Sequence, residues 1–335
     1  MNRFDGATAL VTGASRGLGF AIAGELARRG ARLLICARDP AALDQAAWKL
    51  HDQGAEVYAI PCDVTDENAA ERLIAEAQTH YGRLDVLVNN AGVIQVGPLA
   101  SMQEADFRTA METMFFAPLR LVLAAAPIMR AGGGGTIVNI SSLGGRIAAP
   151  HLLPYDCAKF ALAGLSTGLR AELAADHISV TTVVPGLMRT GSHLGAQFRG
   201  NTPREYAWFA AAAGLPLLSI DAERAARAVV RAAERRRPEI ILGAAAHVAV
   251  RMQGLAPATT TRLLTLAARV LRTAAQTGQQ DGFGVDREAG AGSASHTDVG
   301  SHAAKLLDSR VVGAVTALND RAARRLNQVR HGAAS

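Results

Sequence analysis

The sequence predicts an α/β fold: a doubly wound parallel sheet of about seven strands, followed by a C-terminal helical extension. Short β-rich runs alternate with longer helical patterns, at Ala7–Thr12, Ala31–Ala37, Glu56–Pro61, Leu84–Asn89, Gly135–Ser141, Ile178–Val184 and Glu239–Leu242. Several of these runs, LDVLVNN and GTIVNIS among them, are almost wholly apolar, as expected of strands covered on both faces. Repetition of strand, helix and strand builds a parallel sheet between two helical layers. Composition agrees: 49% of the 335 residues are hydrophobic, 19% are charged and mean hydropathy is +0.13. That is ample apolar surface for a core, and it excludes disorder of the whole chain.

The strand pattern stops after Leu242, which places the boundary of the main domain at residues 1–243. A helical region over 244–275 is interrupted by Pro257, and Leu263, Leu266, Ala267, Val270 and Leu271 recur at spacings of three and four. Residues 276–303, rich in Gly, Ser, Asp and Thr, are expected to be a linker. A last amphipathic helix is expected over 304–335, with Val311, Val315, Leu318, Ala322, Leu326 and Val329 in one stripe. Both stripes are expected to dock on the domain's own surface, with a dimer contact or a membrane contact as the alternatives.

Charge divides the chain in the same place. Residues 1–220 hold 18 basic and 19 acidic groups, whereas residues 221–335 hold 17 and 10. An anionic partner for the C-terminal part is one reading and solvated helix faces another. No aromatic residues interleave with the arginines, so no nucleic-acid partner is expected. The uncharged stretch Tyr206–Ile220 is shorter than the ~20 residues of a membrane span and is broken by Pro216. Cys36, Cys62 and Cys157 form no C-x-x-C pair, and the nine histidines show no ligand spacing, so neither a disulfide framework nor a metal is expected. With no charged-then-apolar leader at its start, the chain is expected to be cytoplasmic.

Between the first strand and the next helical run lies TGASRGLG, Thr12 to Gly19. Glycines at 13, 17 and 19 let the backbone turn sharply and approach a pyrophosphate, and the helix that follows offers unpaired N–H groups and the positive end of its dipole. Gly13, Ser15, Arg16, Gly17, Leu18 and Gly19 are therefore candidates to contact a dinucleotide in a Rossmann-type domain.

Tyr155 and Lys159 form Y-x-x-x-K, which sets them on one face of a helix, and Ser142 lies thirteen residues before the tyrosine, just past the fifth strand. Carbonyl reduction needs a hydride on carbon and a proton on oxygen. A phenol ordinarily titrates near pH 10, and a neighbouring ammonium lowers that by favouring phenolate. Tyr155 is thus the candidate general acid in reduction and general base in alcohol oxidation. Ser142 is the candidate to polarise the substrate oxygen, with Ser141 the neighbouring alternative.

With these residues the sequence resembles the short-chain dehydrogenase/reductase family, in its shorter TGxxxGxG/YxxxK branch, over roughly residues 5–243. The resemblance implies cofactor contacts by Asp63 and Val64 after the third strand, by Asn90, Ala91 and Gly92 after the fourth, and by Pro185, Gly186 and Thr190 after the sixth. It also implies that Tyr155 and Lys159 contact the cofactor, Lys159 through the nicotinamide ribose, that residues 191–222 form a substrate lid, and that the protein is a homo-oligomer. The family's NAD-preferring members typically carry an acid at the end of the second strand, where this chain has Ala37. Arg38 beside it and Arg16 in the glycine loop suit a 2′-phosphate, so NADP is expected over NAD, although a shift in register would bring Asp39 to that position. Met114 stands where the family usually has an asparagine that holds a water near the lysine, and Thr113 is expected to point about 100° away from it. An apolar lid would favour a lipophilic ketone, aldehyde or secondary alcohol. The expected function is an NADP(H)-dependent oxidoreductase; the alternatives are a cofactor-binding regulatory or scaffold protein with weak catalysis, and a peripheral membrane protein.

Overall fold

The computed structural model of the protein describes residues 3–189, 195–202, 205–206, 209, 219–277, 322 and 325–327. Seven strands form its central sheet: β1 (Thr8–Thr12), β2 (Arg32–Ala37), β3 (Val57–Pro61), β4 (Val86–Asn89), β5 (Gly135–Ile140), β6 (Ile178–Pro185) and β7 (Glu239–Leu242). Each lies within two residues of the run that predicts it. Their order is β7-β6-β5-β4-β1-β2-β3 and every pair is parallel. The direction of winding reverses between β1 and β4, and a doubly wound sheet holds its ligand outside the strand ends at such a point.

Nine helices complete the described fold: α1 (Gly17–Ala27), α2 (Pro40–Asp52), α3 (Ala69–Tyr81), α4 (Glu104–Met111), α5 (Ala117–Ala131), α6 (Leu153–Glu172), α7 (Ala222–Glu234), α8 (Ala244–Leu255) and α9 (Pro257–Thr277). The apolar strands serve two cores. On one face Leu33, Ile35 and Val88 pack with Ile22 and Leu26 of α1 and Val229 and Val230 of α7. On the other, Leu10, Leu34 and Leu87 pack with Leu73 of α3 and Leu121 and Met129 of α5. Ten of the eleven residues of α1 are buried, which matches its all-round apolar sequence GLGFAIAGELA.

Between α4 and α5 the helix continues through a π turn, Glu112–Phe116. The run Glu104–Ala131 is long and apolar enough by composition to cross a membrane. In the fold, Leu121, Val122, Ala125 and Met129 from this run lie in the core beside α3 and the sheet.

The extension departs from expectation in two ways. Helix α9 runs through Thr277, past the predicted start of the linker at 276; residues 278–303 lie outside the described residues. Of the predicted stripe, Leu263, Leu266 and Ala267 are exposed, the first two at 51% and 55%, whereas Thr260 is buried and Leu264 and Ala268 are partly buried; the side chains of Val270 and Leu271 lie outside the described residues. In the last predicted helix, only Ala322 and Leu326 of the stripe are described, and Leu326 is buried in the core that contains Phe20 and Ala46.

Candidate active site

The C-terminal ends of β1, β2, β4, β5 and β6 open into a cleft of about 350 Å³. Its floor is the glycine loop. Gly13 has φ +64°, and a Cβ there would lie 2.8 Å from the Ala91 Cα. Gly19, expected to face the cofactor, does not line the cleft; a Cβ there would lie 2.4 Å from both Asn90 Nδ2 and the Gly13 carbonyl oxygen. Its hydrogen lets the loop close on β4, which is a packing role. The Thr12 hydroxyl accepts from the N–H groups of Asn90 and Ala91 (3.0 and 3.1 Å), and Asn90 Nδ2 donates to the carbonyls of Thr12 and Gly13 (3.0 and 3.1 Å). The backbone can therefore approach a ligand closely at the head of α1, where the Gly17 amide already donates to the Leu326 carbonyl at 2.8 Å.

Gly13, Ser15, Arg16, Gly17, Leu18, Arg38, Asp63, Val64, Asn90, Ala91, Gly92, Pro185 and Gly186 all line this one cleft, together with Ser142, Tyr155 and Lys159. Thr190 lies outside the described residues. Sequence reasoning missed Ile94, Ile140, Met188 and Gly195 on the same walls, none of which carries a motif. The glycine floor and the two arginines on the lip fit a dinucleotide.

At the end of β2 the strand closes on Ala37, paired with Pro61. Asp39 caps α2, its carboxylate accepting from the Ala42 N–H at 3.2 Å. Arg38 is 65% exposed and its guanidinium lies 3.9 Å from Asp63. So open a pair is worth little.

Ser142 begins a turn after β5, its Oγ accepting from the Gly144 N–H at 3.0 Å. The Ser141 hydroxyl instead donates to the Lys159 carbonyl at 3.0 Å, as alternation at a strand end requires. Lys159 Nζ lies 5.6 Å from the centre of the Tyr155 ring and donates to the Ile140 carbonyl at 2.7 Å.

The electrostatics differ from the sequence expectation. Burial pushes the Tyr155 phenol up to about 12, with hydrogen bonding from Ser142 acting against it and the Asp156 charge adding to it. Burial also lowers Lys159 to about 7, so its cation is itself disfavoured and does not depress the phenol here. Asp156 is the third perturbed group. It is 1% exposed, and burial raises its carboxyl to about 8, with only the Ala149 N–H acting in the other direction.

Met114 is fully buried between Val93, Ala110, Ala158 and Tyr155, and its sulfur packs against Gly92. Thr113 lines the cleft and Met114 does not, so the two neighbours in the π turn point different ways, as expected. The Thr113 hydroxyl donates to the Thr109 carbonyl at 2.9 Å.

Residues 7–196, more than half of the chain, match the short chain dehydrogenase family model. An oxidoreductase of Bacillus subtilis (strain 168), YxjF, is 38% identical over 182 residues, covering 54% of this chain and 71% of its own. Dehydrogenase/reductase SDR family member 4 of Bos taurus is 36% identical over 190 residues, covering 56% of this chain and 68% of its own. Among solved structures, L-sorbose reductase of Gluconobacter frateurii, complexed with NADPH and L-sorbose, superposes with a TM-score of 0.64 at 25% identity, covering 71% of this chain and 95% of the other. A metagenomic short-chain oxidoreductase in complex with NADP is 38% identical with a TM-score of 0.52, covering 54% and 83%. The chain belongs to the short-chain dehydrogenase/reductase family, and it is an oxidoreductase.

Proposed function

We propose that the protein is an NADP(H)-dependent oxidoreductase that transfers a hydride between nicotinamide and a lipophilic ketone, aldehyde or secondary alcohol. The observation that carries the reading is the end of β2: no acid stands at Ala37, Asp39 caps α2, and Arg38 and Arg16 line the lip. A 2′-phosphate takes two guanidinium partners there and meets no carboxylate at Ala37. Asp63 and Val64 would hold the adenine side, Gly92 and Pro185–Gly186 the nicotinamide side, and Lys159 the ribose. NADPH supplies a hydride to the carbonyl carbon. Tyr155 gives its phenolic proton to the carbonyl oxygen, Ser142 donates a hydrogen bond to that oxygen, and Ile94 and Met188 exclude water. A phenol held near 12 carries its proton throughout the physiological range, and a charged Lys159 would ease the release of that proton. Phe198, Tyr206 and Phe209, with ring centroids 5.5 and 6.2 Å from the first to the others, form an aromatic cluster in the lid region. Exposed Phe116, Leu123 and Phe160 support the homo-oligomeric reading.

The test is NADPH-dependent turnover across a panel of alkyl, aryl and sugar-like carbonyls. Alkyl and aryl carbonyls are expected to give the higher kcat/KM, and Tyr155→Phe to abolish turnover while NADPH still binds. Wild-type activity in Tyr155→Phe refutes the mechanism, and a strong preference for sugars refutes the substrate class.

A second reading, contact with an anionic membrane through α8 and α9, has its own support. Val248, Leu255, Leu263 and Leu266 are exposed there beside Arg251 and Arg262, and residues 240–280 contain no acid. Sedimentation with vesicles containing phosphatidylserine is expected to carry the protein down; absence of binding at low salt rejects this reading.

A further inference from the structure

A short piece of the C-terminal segment is built into the edge of the cofactor cleft. Leu326 and Asn327 are buried, at 4% and 5% exposure, although they lie at the far end of the chain from the glycine loop they touch. The Gly17 N–H donates to the Leu326 carbonyl at 2.8 Å. The Asn327 amide nitrogen donates to the carbonyls of Ser15 (2.8 Å) and Ala42 (3.2 Å), and its oxygen accepts from Lys49 Nζ at 2.8 Å. Arg325 pairs with Glu223 of α7 at 3.0 Å. Asn327 has φ +58°, a backbone conformation that asparagine tolerates better than most side chains.

Ser15, Gly17 and Ala42 all line the cleft. Ser15 precedes Arg16 on the glycine loop, and Ala42 sits in the first turn of α2, just after Arg38 and the capping Asp39. One amide therefore ties together the two strand-end loops that carry the two arginines. With its carbonyl partners satisfied from outside the cleft, the loop is held in one conformation before a ligand arrives, which is how preorganisation adds affinity.

We propose that Asn327, with the Leu326 carbonyl, is a positioning element of the dinucleotide site: it fixes the spacing between the glycine loop and the head of α2, and so the grip of Arg16 and Arg38 on a 2′-phosphate. The inference rests on the NADP(H) reading above. It makes the C-terminal segment part of the binding site without placing it in contact with the ligand.

The experiment measures dissociation constants of NADPH and NADH by calorimetry on the full chain, for wild type, Asn327→Gly and Asn327→Asp. Glycine keeps the positive φ and removes the amide. Aspartate keeps the size and the Lys49 contact but turns a carboxylate toward two carbonyl oxygens. Both variants are expected to bind NADPH roughly tenfold more weakly, the effect of losing two buried hydrogen bonds. NADH, which has no 2′-phosphate for the arginines to grip, should change by less than about threefold, while the melting temperature of Asn327→Gly should fall because the Ser15 and Ala42 carbonyls lose a buried donor. Unchanged or tighter NADPH binding in Asn327→Gly overturns the proposal, and so does an equal loss for both nucleotides, the mark of a merely structural role. Because each variant is compared with wild type on the same nucleotide, failure of the cofactor reading is distinct: it shows as a wild type that prefers NADH. A wild type that binds neither nucleotide overturns both.

Discussion

Asp156 sits beside Tyr155, and its environment makes protein stability depend on pH in a way that one substitution isolates. Its carboxyl is pushed up to about 8 by burial, against about 3.9 for an aspartate in the unfolded chain. Between those values the folded state holds a proton that the unfolded state has released. Stability therefore falls by about 1.4 kcal/mol for each pH unit from about 4 to about 8, and is flat outside that window. The accumulated cost at pH 8 is roughly 5 kcal/mol from this group alone. An asparagine at this position has nearly the same shape and carries no titrating proton, but neither oxygen of Asp156 has a hydrogen-bond partner among the described residues, so the amide leaves donors to satisfy, at about 1–3 kcal/mol. Asp156→Asn is thus expected to be equal to or slightly less stable than wild type at pH 5, and more stable by roughly 2–4 kcal/mol at pH 8. Urea unfolding of both proteins at pH 5, 6, 7 and 8 measures the difference directly. A difference that does not change with pH refutes the reasoning, because it would mean that the carboxyl titrates alike in both states.

Two further substitutions probe the cleft. Arg38→Ala should narrow the preference for NADPH over NADH by about 1.5–3 kcal/mol, the value of a charge-assisted hydrogen bond; equal calorimetric affinities of the wild type for the two nucleotides would remove its basis. Met114→Asn should raise kcat, by at most the ~10²-fold low end of an acid–base contribution, while burial of its amide in an apolar site lowers stability by about 1–3 kcal/mol. Steady-state kinetics and urea unfolding separate the two effects, and a fall in kcat would show that another side chain resupplies the proton.

The fold was legible because the strands carry their own signal. A strand covered on both faces is apolar throughout, and each of the seven could be placed within two residues. Tyr155, Lys159 and Ser142 were legible because their spacing along the chain is their spacing in space: one helix face for the first two, one strand end for the third. What escaped was set by neighbours remote in sequence or by departures from regular geometry. Thr113 lines the cleft from within a π turn, and no periodicity announces that turn. Gly19 carried the motif but serves the contact with Asn90, since a glycine that admits a phosphate and one that admits a side chain look the same in sequence. The Leu263 and Leu266 stripe was real as a pattern, yet a pattern states only that a face is apolar, never that the fold supplies something to cover it. Leu326 belonged to the stripe expected to dock, and it is buried in the core; Asn327 had no local signal, because its partners are carbonyls on two loops at the other end of the chain.

The charges around Tyr155 bear on the direction of the chemistry. Alcohol oxidation requires phenolate, whereas carbonyl reduction requires phenol. Two features of the chain favour the phenol: the ring is buried, and Asp156 is the next residue, so any charge on it opposes a second negative charge nearby. The group that would favour phenolate is Lys159, but a buried ammonium titrating near 7 is only partly charged at neutral pH. Its contact with the Ile140 carbonyl holds it in place whatever its charge, because an amine and an ammonium both donate there. Lys159 can then gain charge from a nearby anion without moving. A phosphate-bearing ligand in the same cleft brings negative charge, raises the ammonium fraction and so lowers the phenol toward the range where proton transfer is easy. On the proposed mechanism, the phenol is protonated but slow to release its proton until the cofactor cleft is filled.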